Sequence, residues 1–80
     1  MTELSLCMIV KNEEERLARC LSSVQGAVDE IIILDTGSTD GTKDVALRFT
    51  QRVYDYAWDD DFSAARNASF AYATRPFILW

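Results

Sequence analysis

Four short strand-like runs alternate with three helix-like segments along this chain, and that order restricts its fold more than any other feature. The runs cover residues 4–10, 31–34, 52–58 and 77–80. Apolar runs of this length are typical of buried strands in parallel sheets. Because strands that alternate with helices form parallel sheets with right-handed crossovers, we predict a three-layer α/β fold, β-α-β-α-β-α-β, with a mostly parallel sheet. We expect its strand order to be 3-2-1-4.

The three helix predictions rest on periodicity and on capping residues. In the first helix apolar residues recur every three or four positions, and Asn12 is predicted to cap its start. The second is predicted over about 40–50, with Thr39 or Asp40 as its cap. The third is rich in alanine and is predicted over about 62–73.

Composition excludes several classes of function. The 80 residues include no histidine, which excludes a Ser-His-Asp triad, a Cys-His pair and a His-ligated metal within the chain. A net charge of −5 predicts no nucleic acid partner. No run of 18 apolar residues is present, so no membrane span is expected. Cys7 and Cys20 are interpreted as small buried hydrophobes in a reducing compartment, which predicts a cytoplasmic location.

The predicted topology indicates where a ligand would bind. Ligands of open parallel sheets bind beyond the carboxyl ends of the strands, where the strand order reverses. In the order 3-2-1-4 that reversal lies between the first and fourth strands. The end of the first strand, residues 10–12, would then flank the site, and Asp35 at the end of the second strand would form its near wall.

Four segments, in order, resemble the family 2 inverting glycosyltransferases. Residues 6–13, Leu-Cys-Met-Ile-Val-Lys-Asn-Glu, look like the first strand and turn of that family. Residues 32–42 contain Leu-Asp-Thr-Gly-Ser-Thr-Asp-Gly and look like its second-strand signature. Residues 65–68, Ala-Arg-Asn-Ala, are similar to its third helix, and residues 77–80 match the strand that leads into its Asp-x-Asp motif. The resemblance covers the whole chain and is particularly close to the branch that decorates lipopolysaccharide cores.

The resemblance implies that residues 1–80 are the N-terminal, nucleotide-binding half of a GT-A domain, Rossmann-like in architecture and inactive alone. The whole protein would transfer a sugar with inversion, from a nucleotide-diphosphate donor, a UDP-sugar by preference, to a glycan or lipid-linked acceptor. Mg²⁺ or Mn²⁺ would bind an Asp-x-Asp expected just beyond Trp80. We expect the whole protein to be cytoplasmic or peripheral to the inner membrane, and uncovered sheet surface favours self-association.

The resemblance also implies binding residues. Asp35 would accept a hydrogen bond from a uracil N–H or a ribose hydroxyl, and Thr36 stands where many members have a second Asp. Arg66 would approach the diphosphate, since a guanidinium suits a phosphate. The nucleobase and ribose are implied at the ends of the first two strands: Val10, Lys11, Asn12, Asp35 and Thr36.

Each of these side chains also has a purely structural interpretation. Asp35 could order the turn that follows it, Lys11 could be a solvated charge, and Asn12 could cap a helix. Arg66 could form a surface ion pair. The acidic run 59–61 is interpreted as the start of a helix rather than a metal site, because carboxylates favour the positive end of a helix dipole.

Aromatic residues receive the simplest structural interpretation. Trp58 and Trp80, with Tyr54 and Tyr56, are predicted to be core or strand-face residues.

Rival functions remain open at this level. An apolar run followed by Asp-Thr-Gly-Ser at 35–38 is the active-site signature of aspartic proteases, in which two aspartates share a proton. Three helix patterns argue against that almost wholly β fold. The lack of Gly-x-Gly-x-x-Gly after the first strand disfavours a dinucleotide-binding fold. The other alternative is a non-catalytic α/β half-domain that only folds or associates.

Overall fold

A computed structural model describes residues 4–58, 60–75 and 77–79. Strands and helices alternate throughout this part of the chain, and no helix in it is long and apolar enough to cross a membrane. The elements are β1 Leu4–Val10, α1 Glu14–Val24, β2 Glu30–Asp35, α2 Thr42–Leu47, β3 Val53–Asp55, α3 Phe62–Ala71 and β4 Phe77–Leu79.

The four strands form one parallel sheet in the order β3-β2-β1-β4. β1 and β2 pair over six residues, from Ser5 opposite Glu30 to Val10 opposite Asp35. β3 extends β2 on one side, and β4 pairs with the start of β1 on the other. The predicted α/β class and strand order are therefore confirmed. Trp80, the last residue of the predicted fourth strand, lies outside the described residues.

Both faces of the two central strands, β1 and β2, are covered. Side chains alternate across a strand, so Ile31 and Ile33 of β2 pack with Leu17 and Leu21 of α1 on one face. On the other face, Ile32 and Leu34 pack with Cys7 of β1 and with partly buried residues of and beyond α3. Burial on both sides explains why β2 reads as a continuous apolar run.

The predicted cap of the first helix is wrong, and one of the two alternatives for the second is partly right. Asn12 has φ of 51° and lies before the N-cap of α1, which is Glu13. The N-cap position of α2 is Gly41 and the helix has only six residues, but the Asp40 carboxylate accepts a hydrogen bond from the N–H of its first residue, Thr42, at 2.9 Å. Asn12 and Thr39 cap neither helix, because they bond to each other across the sheet edge. The acidic start of α3 is confirmed at Asp61, whose side chain accepts a hydrogen bond from Ala64 N at 3.0 Å.

Cysteine burial is confirmed at one position of two. Cys7 is buried, and burial raises the pKa of its thiol, as expected of an inert core residue. The prediction that Cys20 is buried is wrong, since its side chain is exposed. Leu17 and Leu21 form the buried face of α1, and Cys20 lies at the edge of that face. The apolar periodicity does not distinguish residues at the edge of a helix face from those at its centre.

At the amino ends of the strands, Glu30 joins several separate elements. Its Oε1 accepts hydrogen bonds from Ser5 Oγ of β1 and from the Thr74 N–H, both at 2.8 Å. Its Oε2 accepts from the Arg52 guanidinium and from Thr74 Oγ1, both at 2.7 Å. Thr74 lies three residues before β4. Glu30 therefore fixes the connection from α3 to β4 against the rest of the sheet.

This network shifts the titration of Glu30. Burial by itself would raise the pKa of Glu30, but the hydrogen bonds from Thr74 and Ser5 and the charge of Arg52 outweigh it and lower the pKa from 4.5 to about 2. A carboxyl whose pKa is lowered on folding stabilises the native state above its unfolded pKa. That stabilisation is lost as the pH falls from 4.5 toward 2.

We expect Glu30→Gln to lower the free energy of unfolding by about 1–3 kcal/mol near neutral pH, because charged hydrogen bonds are replaced by weaker ones. The variant should also lose the acid-dependent part of the stability, so its difference from the parent should shrink near pH 3. Urea denaturation at both pH values measures this. Glu15→Gln, an exposed position on α1, is the control, and an equal loss there would contradict the role of Glu30.

Candidate functional site

The carboxyl ends of β1 and β2 lie level and are joined to each other. Val10 is opposite Asp35 in the sheet register. The next residue, Thr36, donates both its backbone N–H and its hydroxyl to the Val10 carbonyl, at 3.0 and 3.1 Å. All three residues are buried. The predicted site residues Val10, Asp35 and Thr36 are therefore adjacent, and the Thr36 hydroxyl is used to hold the two strand ends together.

The two carboxylate oxygens of Asp35 have different environments. Oδ1 accepts hydrogen bonds from the backbone N–H groups of Gly37 and Ser38, at 2.9 and 2.7 Å. Oδ2 is buried and has no hydrogen-bond partner in the described part of the chain. Buried polar atoms are nearly always paired, because an unpaired one loses its hydration without compensation. Asp35 thus orders the turn with one oxygen and leaves the other for a donor from elsewhere.

The loops after β1 and β2 are bonded to each other through Asn12. Its Oδ1 accepts from the Thr39 N–H at 2.8 Å, and its backbone N–H donates to Ser38 Oγ at 2.9 Å. Asn tolerates the left-handed backbone that this arrangement needs better than most residues. The Asn12 side chain therefore holds the two loops together, a role that neither the predicted cap nor the predicted base contact described.

On one side of these loops the surface is acidic. A cleft of about 320 Å³ is lined by Asn12, Glu13, Glu14, Glu15, Arg16 and Asp40. Glu14 Oε1 accepts from the Gly41 N–H at 2.5 Å, and a hydrogen bond from Thr42 lowers the pKa of Asp40. Four carboxylates and one guanidinium line this cleft, and this excess of acidic groups disfavours an anionic ligand on this side.

On the other side lies an open cleft of about 270 Å³, called the strand-end cleft below. Lys11 is exposed at this cleft, at the end of β1. Trp58 also lies here with 41% of its surface exposed, so the prediction that it is a core or strand-face residue is wrong. β3 ends at Asp55, because β2 offers no further residue to pair with. The lining residues are Ile9, Val10, Lys11, Glu13, Thr36, Trp58 and Phe62.

Arg66 lies on α3 and is half-buried. It lines a smaller, separate cavity of about 160 Å³ with Cys7, Met8 and Ser69, and this cavity shares Ile9 and Phe62 with the strand-end cleft. The structure thus brings five of the six predicted site residues to the ends of β1 and β2. It places Arg66 on the neighbouring face of α3.

Sequence reasoning missed the aromatic wall of the strand-end cleft. Trp58 and Phe62 have ring centroids 6.1 Å apart and an interplanar angle of 77°. The only sequence signal was their position between the third strand and the third helix, that is, at a carboxyl-end connection of the sheet.

Among the described residues, no group of three or more His, Cys, Asp or Glu side chains could hold a metal ion. Asp61 caps α3, and Asp60 accepts the Trp58 indole N–H, so these two carboxylates have structural partners. Asp59, the first residue of the acidic run, lies outside the described residues. The helices and the wholly parallel sheet also contradict the aspartic protease alternative, whose fold is almost entirely β.

Comparison with known proteins decides the family. The family model described as "Glycosyl transferase family 2" matches residues 5–80. The chain belongs to glycosyl transferase family 2. It is 52% identical over 79 residues to a TPR repeat-containing protein of Synechococcus elongatus, covering 99% of this chain and 20% of that protein. It is 44% identical over 75 residues to the prophage-derived glycosyltransferase SunS of Bacillus subtilis, covering 91% of this chain and 18% of SunS.

Solved structures agree with this assignment. Glucosyl-3-phosphoglycerate synthase from Mycobacterium tuberculosis, in complex with UDP, aligns with a TM-score of 0.58 and 34% identity, over 65% of this chain and 20% of that enzyme. The same enzyme in complex with Mn²⁺ and UDP-glucose aligns with a TM-score of 0.57. The expected Rossmann-like part of a glycosyltransferase fold is therefore confirmed. The chain spans about a fifth of the length of the relatives it matches.

The turn after Asp35 gives a test of the site's local geometry. Gly37 has φ of 108°, a conformation that a residue with a Cβ adopts only under strain. We expect Gly37→Ala to lower the free energy of unfolding by about 1–3 kcal/mol in urea denaturation. Gly26→Ala is the matched control, since a Cβ there meets nothing within 4 Å, and it should be neutral or slightly stabilising. Equal effects at both glycines would show that the turn is not conformationally restricted.

Proposed function

We propose that this chain is the nucleotide-binding half of the GT-A domain of a glycosyltransferase that transfers a sugar from a nucleotide-diphosphate donor, a UDP-sugar by preference, to an acceptor hydroxyl. In the proposed reaction, the acceptor oxygen attacks the anomeric carbon and the bond from that carbon to the diphosphate breaks, with inversion. The acceptor proton passes to a carboxylate base. No described residue is placed in that role, so the base is proposed to lie outside residues 1–80.

The observation that carries this proposal is Oδ2 of Asp35, which has no hydrogen-bond partner among the described residues. It is buried at the carboxyl end of β2, beside the end of β1, in a chain of this family. A uracil N–H or a ribose hydroxyl would supply the missing donor, and a hydrogen bond to a carboxylate is among the stronger ones. The UDP bound to the structurally similar Mycobacterium tuberculosis enzyme supports the same class of ligand.

Charge indicates how the nucleotide would lie. The acidic cleft formed by residues 12–16 and Asp40 would repel a diphosphate. The strand-end cleft carries one cation, Lys11, and one carboxylate, Glu13, and therefore suits an uncharged base or ribose. We propose that Val10, Lys11, Asn12, Asp35 and Thr36 surround the nucleoside and that the diphosphate points toward Arg66 on α3.

A divalent cation is part of the proposal for the whole protein. The described residues do not fit a metal, because they contain no cluster of ligating side chains. We therefore propose that Mg²⁺ or Mn²⁺ binds to residues outside this chain, and the Mn²⁺ held by the Mycobacterium tuberculosis enzyme supports the metal class. None of the contacts proposed for the nucleoside depends on the metal.

The remaining features of the whole protein are proposed from the family resemblance. We propose a glycan or lipid-linked acceptor, as in the branch that decorates lipopolysaccharide cores. A cytoplasmic location, or one peripheral to the inner membrane, would give access to both a nucleotide sugar and such an acceptor.

The experiment is an amide ¹H–¹⁵N NMR titration of the full chain with UDP, with and without Mg²⁺. We expect shifts at residues 9–12 and 34–37 and near Arg66. Shifts confined to the acidic cleft would contradict the proposed orientation.

A dispersed spectrum that does not respond to UDP would contradict nucleotide binding by this chain. It would favour the second candidate, an α/β half-domain that only folds or associates. The exposed apolar side chains of β4, Phe77 at 64% and Ile78 at 39%, are the observation that supports association.

Asp35→Asn separates binding from folding. The amide oxygen can still accept from the Gly37 and Ser38 N–H groups, but an NH₂ donor replaces Oδ2. We expect the free energy of UDP binding to weaken by about 1–3 kcal/mol, because the new NH₂ group would face the N–H or hydroxyl donor of the nucleoside. Thermal stability should change little. Isothermal titration calorimetry and a thermal melt measure the two effects. Unchanged affinity in a folded variant would make Asp35 a turn residue only.

A further inference from the structure

The strand-end cleft has an aromatic wall that the proposed function does not yet use. Trp58 and Phe62, 41% and 52% exposed, meet edge to face and line this cleft together with Val10 and Thr36. Large aromatic side chains are usually well buried, because their area is the main gain from packing. An exposed aromatic pair in a concave site is the kind of surface that ligand sites use.

The orientation of the Trp58 ring is fixed by its own loop. The indole Nε1–H donates to Asp60 Oδ1 at 3.0 Å. Asp60 has φ of 62°, the left-handed region that Asp tolerates better than most residues. Phe62 is the first residue of α3 and packs edge-on at 6.1 Å. With its N–H paired and its orientation set by Phe62, the indole presents ring surface to the cleft without needing to reorganise.

The chemistry of the cleft selects one kind of ligand. Lys11 and Glu13 give it charges of both signs, so it does not select for an anion. Asp35 does not line the cleft, but it directly precedes Thr36, which does, and its Oδ2 is a buried acceptor with no partner among the described residues. A ligand that presents a flat uncharged ring to an indole and an N–H to a carboxylate is a nucleobase.

We propose that Trp58 is the stacking face for the base of the nucleoside diphosphate and that Phe62 holds the indole in place. The inference rests on the proposed function and deepens it, by naming the residue that contacts the base.

The test compares UDP binding by the full chain and three variants, using isothermal titration calorimetry. Trp58→Ala should weaken UDP binding roughly 5- to 150-fold, the loss typical of removing one base–aromatic stack. Trp58→Phe keeps a flat ring and should retain most of the affinity. Leu47→Ala removes an exposed apolar side chain from α2 and should bind UDP as the parent does.

Two further measurements separate stacking from a structural effect. UDP should quench the indole fluorescence of the parent, and the quenching should largely disappear in Trp58→Phe, which retains Trp80 as its emitter. Inorganic pyrophosphate, which has no base, should bind the parent and Trp58→Ala equally. A loss of pyrophosphate binding as large as the loss of UDP binding would overturn the stacking role.

The outcomes distinguish this inference from the proposed function. If the parent binds UDP with shifts at residues 34–37, but Trp58→Ala binds it equally well, the stacking role is wrong and nucleotide binding stands. If the parent does not bind UDP at all, both are overturned. If circular dichroism shows that Trp58→Ala is unfolded, the fluorescence quenching and the UDP affinity of Trp58→Phe alone decide whether Trp58 stacks on the base.

Discussion

The register of β1 on β2 is the constraint on which both ends of this molecule depend. Six residue pairs place Ser5 opposite Glu30 at one end and Val10 opposite Asp35 at the other. A slip of one residue would turn every side chain of a strand to the other face of the sheet. Ile31, Ile32, Ile33 and Leu34 are each buried at 7% exposure or less, so such a slip has no low-energy alternative. The apolar core therefore positions two polar sites that have no direct contact with each other.

The carboxylates at the two ends of the sheet differ in how many of their oxygens accept hydrogen bonds. Glu30 receives hydrogen bonds on both oxygens, from Ser5, Arg52 and Thr74, and the network closes the amino end of the sheet. A fully paired buried network rigidifies the elements it joins. Asp35 has only one oxygen paired within the described residues, although it is more buried than Glu30. The unpaired polar atom therefore lies at the carboxyl end of the sheet, which is the end where parallel sheets bind ligands.

Features set by local patterns are predictable from the sequence, and features set by contacts between distant segments are not. β1 has the predicted bounds, because a buried parallel strand is visible in the sequence as an apolar run. The expected strand order is also confirmed, although the apolar runs alone do not determine it. The cap prediction for Asn12 is wrong because its partners, Ser38 and Thr39, lie 26 and 27 residues away. The prediction for Trp58 is wrong because a sequence does not show which aromatic residue faces a cleft. The candidate site residues follow mainly from family resemblance, and the physical signal beneath it is only that Val10 and Asp35 end adjacent parallel strands.

The helix termini explain why the diphosphate of the proposed ligand would need a cationic partner. Many phosphate sites use the free N–H groups at the positive end of a helix. Here carboxylates already lie at those ends. Glu14 and Glu15 are in the first turn of α1, and Glu14 also accepts a hydrogen bond from the Gly41 N–H before α2. Asp61 caps α3. A diphosphate would therefore find acid where a dinucleotide-binding fold offers N–H donors. In the proposed function, Arg66 and a metal held outside the described residues would balance its charge, and that requirement would distinguish this α/β sheet chemically from the dinucleotide-binding folds it resembles in topology.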